Sequence, residues 1–405
     1  YKFTTYSLSG LTVDYAGEGS QTVNSTLGAY SALTLSGSGT KTLQAAVTNN
    51  GALKIGSGVT LADGGFTLTA KGNVANTGTH SGAGKVLLAG SAAQTLSGSG
   101  SYGNLEVNNA AGVSLAGSPA VAGVLTLTAG QIVTGAQRLD LGAGAAVGRS
   151  GGWVNGTLQK ALNTGSGQTF IFPIGGSVYY RPVAVSNLNV TATGTLSAFV
   201  TASIGNHPQI ATSELNPDKT VLRYWTLTAG SGLAVANYDA TFTFVSSDVS
   251  PGADTSRFDV RKWDGSAWDE TSDGVPPSAT STTATGLSSF SDFAIGEPQA
   301  SLMLVTLPGQ TFTSGAGNTG SPDVRTAGAP FNLTLSAIGV FTNVDTSYSG
   351  LKTIHYSGPT NAPDGTAPAY PVSVLFVNGQ ATVEGVVLPK AETVTLSATD
   401  ALLTP

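Results

Sequence analysis

The residues best suited to chemistry are few and scattered along the chain. Its 405 residues include no Cys and only three His, namely His80, His207 and His355. These histidines fall in three different predicted domains, whereas a zinc site or a Ser/His/Asp triad needs side chains that converge on one point. We therefore expect each histidine to be an ordinary surface or strand residue, and we expect no metal site built from them.

The acidic residues in the first part of the chain are equally dispersed. Polysaccharide lyases and hydrolases need paired carboxylates, or a carboxylate with basic partners and a metal, in one groove. Here the carboxylates occur singly, about one per predicted coil: Asp14, Glu18, Asp63, Glu106 and Asp140. The sequence thus predicts no catalytic residue and no enzyme. Glycan cleavage that depends on Glu106 or Asp140 is the distant alternative.

Two further segments look like ligand-binding motifs. Gly82-Ala83-Gly84-Lys85 lacks the first Gly of a phosphate-binding loop and the Ser or Thr after its Lys, so it indicates a turn before a strand. The other segment places four acidic residues around two tryptophans: Asp264, Asp269, Glu270 and Asp273 around Trp263 and Trp268. Its spacing matches no EF-hand, so we expect no cofactor, with calcium as the alternative. The tryptophans are expected to fill a core, with stacking on sugar rings as the alternative.

The elements that must position these residues are short strands that occur in two similar copies. Gln21-Thr22-Val23 returns as Gln94-Thr95-Leu96, an offset of 73 residues. Five apolar residues return at an offset of 72: Tyr30, Leu33, Leu35, Leu53 and Ile55 as Tyr102, Leu105, Val107, Leu125 and Leu127. Apolar residues two apart share one face of a strand, and strands this short bury that face only when they are stacked. We predict a right-handed parallel β-helix over residues 21–149, with two repeats of three coils of about 24 residues.

The first 20 residues are richer in large apolar groups than the coils that follow. Seven such residues lie on two short alternating strands: Tyr1, Phe3, Tyr6, Leu8, Leu11, Val13 and Tyr15. The end of a β-helix is an open row of main-chain donors and acceptors that must be covered or paired. We interpret residues 1–20 as an N-terminal cap or as a strand donated to a neighbouring molecule, and these seven residues as candidate subunit contacts.

Aromatic strands separated by Pro, Gly and Asp turns replace the β-helix pattern near Ser150. They predict an antiparallel β-sandwich over residues 150–297. Its most distinctive segments are Trp153–Lys160, Phe170–Gly175, Tyr179–Val183 and Phe290–Gly296. Together these segments resemble a module of large bacterial surface proteins, in which it follows β-helical repeats. The resemblance implies a secreted or surface-attached scaffold and no particular activity.

Four strands of period two follow the predicted linker Glu297-Pro298-Gln299-Ala300. They indicate an immunoglobulin-like sandwich over residues 301–405. Thr326-Ala327-Gly328, Tyr348-Ser349-Gly350 and Phe376-Val377-Asn378-Gly379 resemble signatures of the bacterial immunoglobulin-like domains that occur in tandem on surface proteins. The whole chain is therefore expected to be all-β, with a parallel β-helix, an antiparallel β-sandwich and an immunoglobulin-like sandwich in sequence.

Composition narrows the class of function. Only 10% of the residues are charged and the net charge is −6, which argues against a nucleic-acid binder because such proteins carry a basic face. No apolar run reaches the length of a membrane helix. We expect a structural subunit of a bacterial extracellular filament, sheath or surface layer that assembles with copies of itself. The alternative is a cell-surface adhesin or carbohydrate-binding stalk whose partners are surface glycans.

Overall fold

A computed structural model describes residues 9–27, 29–339, 342–400 and 403. The chain is all-β and forms two compact units. The first comprises residues 1–205, 221–249 and 262–294, and the second comprises residues 206–220, 250–261 and 295–405. In the part of the chain that the structure describes, four short 3₁₀ helices interrupt the strands: Ser25–Leu27, Ile210–Thr212, Ser246–Asp248 and Thr255–Arg257. Among the described residues no helix has the length and apolar character needed to cross a membrane.

Three ladders of parallel strands form a β-solenoid of about eight turns in the first unit, which confirms the predicted β-helix. The first ladder contains Thr12–Tyr15, Ala32–Leu35, Leu53–Ile55, Val74–Asn76, Gln94–Ser97, Val113–Ala116, the first halves of Gln131–Leu141 and Trp153–Leu162, and Ile174–Gly175. The second contains Gln21–Val23, Gly39–Leu43, Val59–Ala62, Thr79–Ser81, Ser101–Tyr102, Ala120–Val121 and the second halves of the same two long strands. The third contains Ala29–Tyr30, Val47–Asn49, Thr67–Ala70, Lys85–Leu88, Leu105–Asn108, Val124–Ala129 and Ala146–Arg149.

Apolar residues two positions apart create the interior of the solenoid. Leu33 pairs with Leu53, and Leu53 pairs with Val74, so equivalent side chains stack from one turn to the next. All three are at most 1% exposed. In the third ladder Leu105 pairs with Leu125, and both are fully buried. Each strand is thus stabilised by the turns on either side of it rather than by its own length.

The predicted coil length of 24 residues was wrong. The pairs Leu33–Leu53, Leu53–Val74 and Leu96–Leu115 give turns of about 20 residues. The 72-residue offset is therefore not a whole number of turns. Leu33 lies on the first ladder and Leu105 on the third, although their sequence neighbourhoods are similar. Equivalent residues of the two copies therefore keep the same spacing along the chain but lie on different ladders.

Parallel pairing extends past both ends of the range 21–149. Thr12–Tyr15 pairs with Ala32–Leu35, so part of the predicted cap or donor segment is the first rung of the solenoid. At the other end, Trp153–Leu162 pairs in parallel with Gln131–Leu141 and then antiparallel with Gly194–Val200. One strand therefore belongs both to the solenoid and to the antiparallel part of the first unit.

Antiparallel sheets follow the solenoid, as predicted. One sheet is ordered Gly165–Phe172, Val183–Ala192, Ala234–Thr243, Ser281–Leu287 and Ser272–Asp273. The strands outside it are Gly194–Val200, which pairs with Leu215–Gly230, and Asp259–Trp263, Trp268–Glu270 and Asp292–Pro298. Trp225 and Phe293 contact Phe242 with ring centroids 5.5 and 4.9 Å away. Aromatic side chains from different sheets therefore meet in a common core.

The second unit is also built from antiparallel strands. Its three-stranded sheet contains Leu302–Thr306, Phe331–Ile338 and Gln380–Val386. Three strand pairs complete it: Thr311–Thr313 with Gly317–Thr319, Gly350–Thr353 with Ser373–Phe376, and His355–Ser357 with Ser397–Thr399. Leu335, Ile354 and Phe376 lie in its core. This arrangement is consistent with an immunoglobulin-like fold, which stays a prediction at this level of detail.

The segment predicted as a linker is held by ionic contacts within the second unit. Arg257 lies 2.9 Å from a Glu297 carboxylate oxygen and 3.2 Å from an Asp345 carboxylate oxygen. The amide of Ala300 donates to the other oxygen of Asp345 at 3.1 Å. Because Glu297 and Asp345 are nearly buried, this segment is part of the packed unit rather than a free connection.

Candidate functional site

The histidine of the solenoid belongs to a buried polar pair. His80 lies on Thr79–Ser81 with its ring inside, and its Nε2 is 3.0 Å from Oδ2 of Asp63. Asp63 follows Val59–Ala62, and its Oδ1 accepts from the amides of Gly65 at 2.7 Å and Gly84 at 3.0 Å. Both side chains have no exposed surface, so no substrate can reach the pair. The Gly82–Lys85 segment is thus a bend, and the amide of Gly84 within it donates a hydrogen bond to Asp63.

His80 stands in a column of inward-facing residues along the second ladder. Successive pairings align Gln21, Lys41, Leu61, His80, Tyr102, Val121, Leu141 and Lys160. Near the start, Lys41 Nζ donates to three carbonyls and to Oε1 of Gln21 at 2.6 to 3.0 Å. At the end, Lys160 Nζ donates to the carbonyls of Gly142, Ala143 and Ala145. Both lysines therefore satisfy corner carbonyls, and burial lowers the pKa of Lys160.

The buried histidine predicts acid sensitivity of the solenoid. Burial lowers the pKa of His80, against the opposing effect of Asp63. The unfolded chain, with an ordinary histidine pKa of about 6.5, then binds more protons than the folded chain, so stability falls as pH drops below that value. We expect His80→Gln to reduce the loss of unfolding free energy between pH 7 and 5 in urea titrations. An unchanged pH dependence would contradict this role for His80.

The other histidines have different surroundings. In the second unit, His207 Nδ1 accepts from the amide of Gln209 at 3.1 Å, and His355 is exposed on His355–Ser357. Across residues 9–27, 29–339, 342–400 and 403, no group of three or more His, Asp or Glu side chains is arranged to hold a metal ion.

The two carboxylates that would support glycan cleavage do not share a groove. Glu106 lies on the third ladder, 2.5 Å from Lys85 Nζ, and accepts from Thr128 at 2.8 Å. Burial alone raises the pKa of Glu106, but these donors hold it below the ordinary value. Asp140 lies on the second ladder, 2.7 Å from Nε of Arg138. Each carboxylate has its own basic partner, and neither is placed to act with the other.

The acidic segment around the tryptophans is also divided among separate contacts. Trp268 is 7% exposed, and its ring centroid lies 5.4 Å from that of the partly buried Trp263. Asp264 accepts from the amides of Ser266 and Ala267, each at 2.7 Å, and so closes the turn between the tryptophans. Asp269 pairs with Lys262 at 2.6 Å. These two carboxylates therefore serve the hairpin and are not directed at one shared point.

The candidate subunit contacts fall into two groups. Tyr1, Phe3, Tyr6 and Leu8 lie outside the described residues. Leu11 is 54% exposed, whereas Val13 and Tyr15 are partly buried on the first rung. The Tyr15 hydroxyl lies 2.9 Å from that of Tyr30 and accepts from the amide of Asn24 at 2.8 Å. Tyr15 is thus a structural residue of the solenoid.

The outer face of the first ladder is a surface that the sequence patterns did not single out. It forms a shallow depression of about 430 Å³. Small and polar side chains line it, together with one lysine: Thr12, Ala32, Thr34, Ala52, Lys54, Asn73, Ala75, Thr95 and Ser97. Its only signal in the sequence is the small residue that alternates with each inward Leu or Val. Such a face offers close approach of main chains and little charge.

Comparison with known proteins provides no relative from which a role can be transferred. Neither a family model, nor a curated protein, nor a solved structure matches the chain, so its functional interpretation rests on its own residues.

Proposed function

We propose that the chain is a structural subunit of a bacterial extracellular filament, sheath or surface layer, and that it acts by assembling with copies of itself. The observation that carries this proposal is the edge of the solenoid's first rung. Within the described residues, Thr12–Tyr15, Gln21–Val23 and Ala29–Tyr30 each pair with a strand on one side only. Their outer main-chain groups are a template for another chain.

The low charge of the solenoid supports the same role. Residues 1–149 contain seven Lys or Arg and five Asp or Glu, and Lys41 and Asp63 are buried. Small, weakly charged faces permit close lateral packing without electrostatic repulsion. The extracellular and bacterial setting is inferred from the resemblance of residues 150–297 and 301–405 to modules of surface proteins. No step of this role needs a cofactor or a catalytic group.

The alternative is a surface adhesin or a carbohydrate-binding stalk. The partly exposed ring of Trp263 favours it, because aromatic faces stack on sugars, whereas Trp268 beside it is buried. The two roles are separated by measuring light scattering of the purified chain against concentration and by testing binding to a glycan array. Growth of large, ordered particles without glycan binding supports assembly. A monomer that binds glycans, with binding lost in Trp263→Ala, supports the alternative.

Assembly is expected to persist at high salt. Contacts between faces with few charges depend on apolar burial and main-chain hydrogen bonds, which salt does not screen. At about 1 M salt the Debye length falls to roughly 3 Å and exposed ion pairs weaken. We expect the sedimented fraction of the polymer to be unchanged between low salt and about 1 M NaCl. Dissolution by salt alone would show that ionic contacts hold the subunits together.

A further inference from the structure

The third ladder ends beside an open cleft. Ala146–Arg149 is the last strand of that ladder. The next strand on this side, Gly165–Phe172, does not continue the ladder and instead starts the antiparallel sheet with Val183–Ala192. A cleft of about 750 Å³ lies between the two strands, and we call it the strand cleft. It is lined by Ala143, Ala145, Ala146, Val147, Lys160, Leu162, residues 168–171, residues 184–186 and Leu188.

Main-chain groups are available at the solenoid side of the strand cleft. The amides of Ala146 and Ser150 donate back to the preceding rung, to Gly123 O at 2.9 Å and to Leu127 O at 3.1 Å. Because pairing alternates along a strand, the N–H and C=O groups of Val147 point the other way, toward the cleft. On the opposite side, Gly165–Phe172 is the outermost strand of its sheet. Two strand edges therefore border one opening.

The side chains that line the strand cleft suit a peptide better than an ion. Its one charged side chain is Lys160, whose Nζ already donates to three carbonyls. Alanines line one wall, and Phe170 and the 57% exposed Ile171 line the other. An extended chain with apolar side chains fits both features, because its main chain pairs with a strand edge and its side chains contact the walls.

We propose that the strand cleft binds residues Tyr1–Leu8 of a second copy of this chain. This rests on the proposed self-assembly and names the acceptor for it. The segment carries Tyr1, Phe3, Tyr6 and Leu8 among one lysine and three small polar residues, and it precedes the first rung in the sequence. The third ladder runs from Ala29–Tyr30 to Ala146–Arg149, so the first rung, which this segment precedes in the sequence, and the strand cleft lie at opposite ends of the solenoid.

The length of the segment favours a second copy over the molecule's own cleft. Six strand spacings separate the ends of the third ladder, roughly 29 Å. Residues 1–11 span about 37 Å when fully extended, so reaching their own cleft would leave only two or three residues to pair there. A neighbour placed before the first rung needs no such span. Because donor and acceptor are different surfaces, the contact is head-to-tail and propagates into a fibre unless it closes into a ring.

A second open edge in the chain is the competing acceptor. Gly350–Thr353 pairs only with Ser373–Phe376 among the described residues, and Leu351 and Leu375 on its outer face are 69% and 62% exposed. The amide of Ile354 donates to Val372, which by alternation turns the N–H of Leu351 outward. This edge offers outward main-chain groups beside exposed leucines, without belonging to the strand cleft. It provides a matched control for the strand cleft.

The test measures binding of a labelled peptide of residues 1–10 to the chain that lacks residues 1–8, by fluorescence anisotropy. Val147→Pro removes the outward donor, and proline is tolerated at an edge position whose N–H faces away from the sheet. Ile171→Asp alters the opposite wall at an exposed site, and Leu351→Pro is the control at the other edge. We expect Val147→Pro and Ile171→Asp each to weaken peptide binding at least tenfold at unchanged melting temperature, and Leu351→Pro to leave it unchanged.

The alternative results separate this proposal from the proposed function. Loss of peptide binding in Leu351→Pro alone would overturn the strand cleft as acceptor while self-assembly stands. The strand cleft would also be excluded as the acceptor, with self-assembly still supported, if the intact chain polymerises and the peptide binds none of the proteins. If the intact chain stays monomeric at every concentration, self-assembly itself fails, whatever the peptide does. A peptide with Phe3→Pro should bind each of these proteins more weakly than the unsubstituted peptide does. If the two peptides bound equally well, main-chain pairing would be excluded.

Discussion

Replacing Leu105 with Asp is expected to unfold the solenoid. Leu105 is fully buried and pairs with Leu125, which is equally buried, in the middle of the third ladder. The substitution places an unpaired carboxylate among apolar side chains, a change whose cost exceeds about 4 kcal/mol in the free energy of unfolding. Because each rung depends on its neighbours, we expect the loss to spread along the ladder. Thermal unfolding followed by circular dichroism measures it, and Leu125→Asp should behave alike.

The matched control is the same charge on the outside of the same solenoid. Ser114 is exposed on Val113–Ala116, so Ser114→Asp is expected to change the melting temperature little. If Leu105→Asp were as stable as Ser114→Asp, the inward position of Leu105 would be wrong.

Removing the carboxylate of Asp248 is expected to be the most damaging single change in the antiparallel part of the first unit. Asp248 is fully buried, and its two oxygens accept from Nε and Nη2 of Arg181, each at 2.6 Å. Nε of Arg223 donates to the same carboxylate at 3.2 Å. Asp248→Ala would leave two nearly buried guanidinium groups without a counter-charge, which costs about 3–5 kcal/mol. Chemical denaturation followed by tryptophan fluorescence is a suitable measurement, because Trp225 donates to the carbonyl of Arg181.

The ionic state of Asp248 also has a pH signature. Burial raises its pKa, but the bonds from Arg181 and Arg223 and the Val245 amide hold it below the ordinary value. The stabilisation is therefore present above the unfolded-state pKa of about 3.9 and is lost as pH falls through the lower folded-state value. Asp248→Asn keeps the side-chain shape without the charge, so we expect it to remove this acid-dependent loss. A wild-type pH profile in Asp248→Asn would contradict the assignment.

The pattern of short apolar strands was sufficient to predict an all-β chain with a parallel solenoid. Leu33 with Leu35 and Leu53 with Ile55 point to one face by their spacing alone, and the structure buries all four. Turn length was not predictable from the repeat. Corners between strands vary in length, so the offset between similar segments does not report which ladder each segment joins.

Buried polar residues were the main features that sequence reasoning missed. Lys41 and Lys160 look like solvated charges in a sequence, yet both are 5% exposed or less because corner carbonyls surround their Nζ atoms. Apart from the carbonyl of Ser38, those carbonyls are 15 or more residues away in the sequence, so local patterns do not reveal them. The one available signal for the buried pair is that Asp63 precedes His80 by slightly less than one turn.

The boundary between the solenoid and the antiparallel sheets could not be predicted from local sequence patterns either. Trp153–Leu162 has the aromatic content of the antiparallel part, but both of its halves still pair in parallel with Gln131–Leu141 of the solenoid. A strand that joins two kinds of sheet reflects both in its composition, and the change near Ser150 marks a change in side chains rather than the end of parallel pairing. The strand cleft arises at this transition, where one ladder stops and another sheet begins.

Electron micrographs of the intact purified chain test self-assembly most directly. We expect ordered polymers with a regular axial repeat that persist at about 1 M salt, because the proposed contacts are main-chain pairing and apolar burial. Monodisperse particles of a single chain, at every concentration up to the solubility limit, would contradict it.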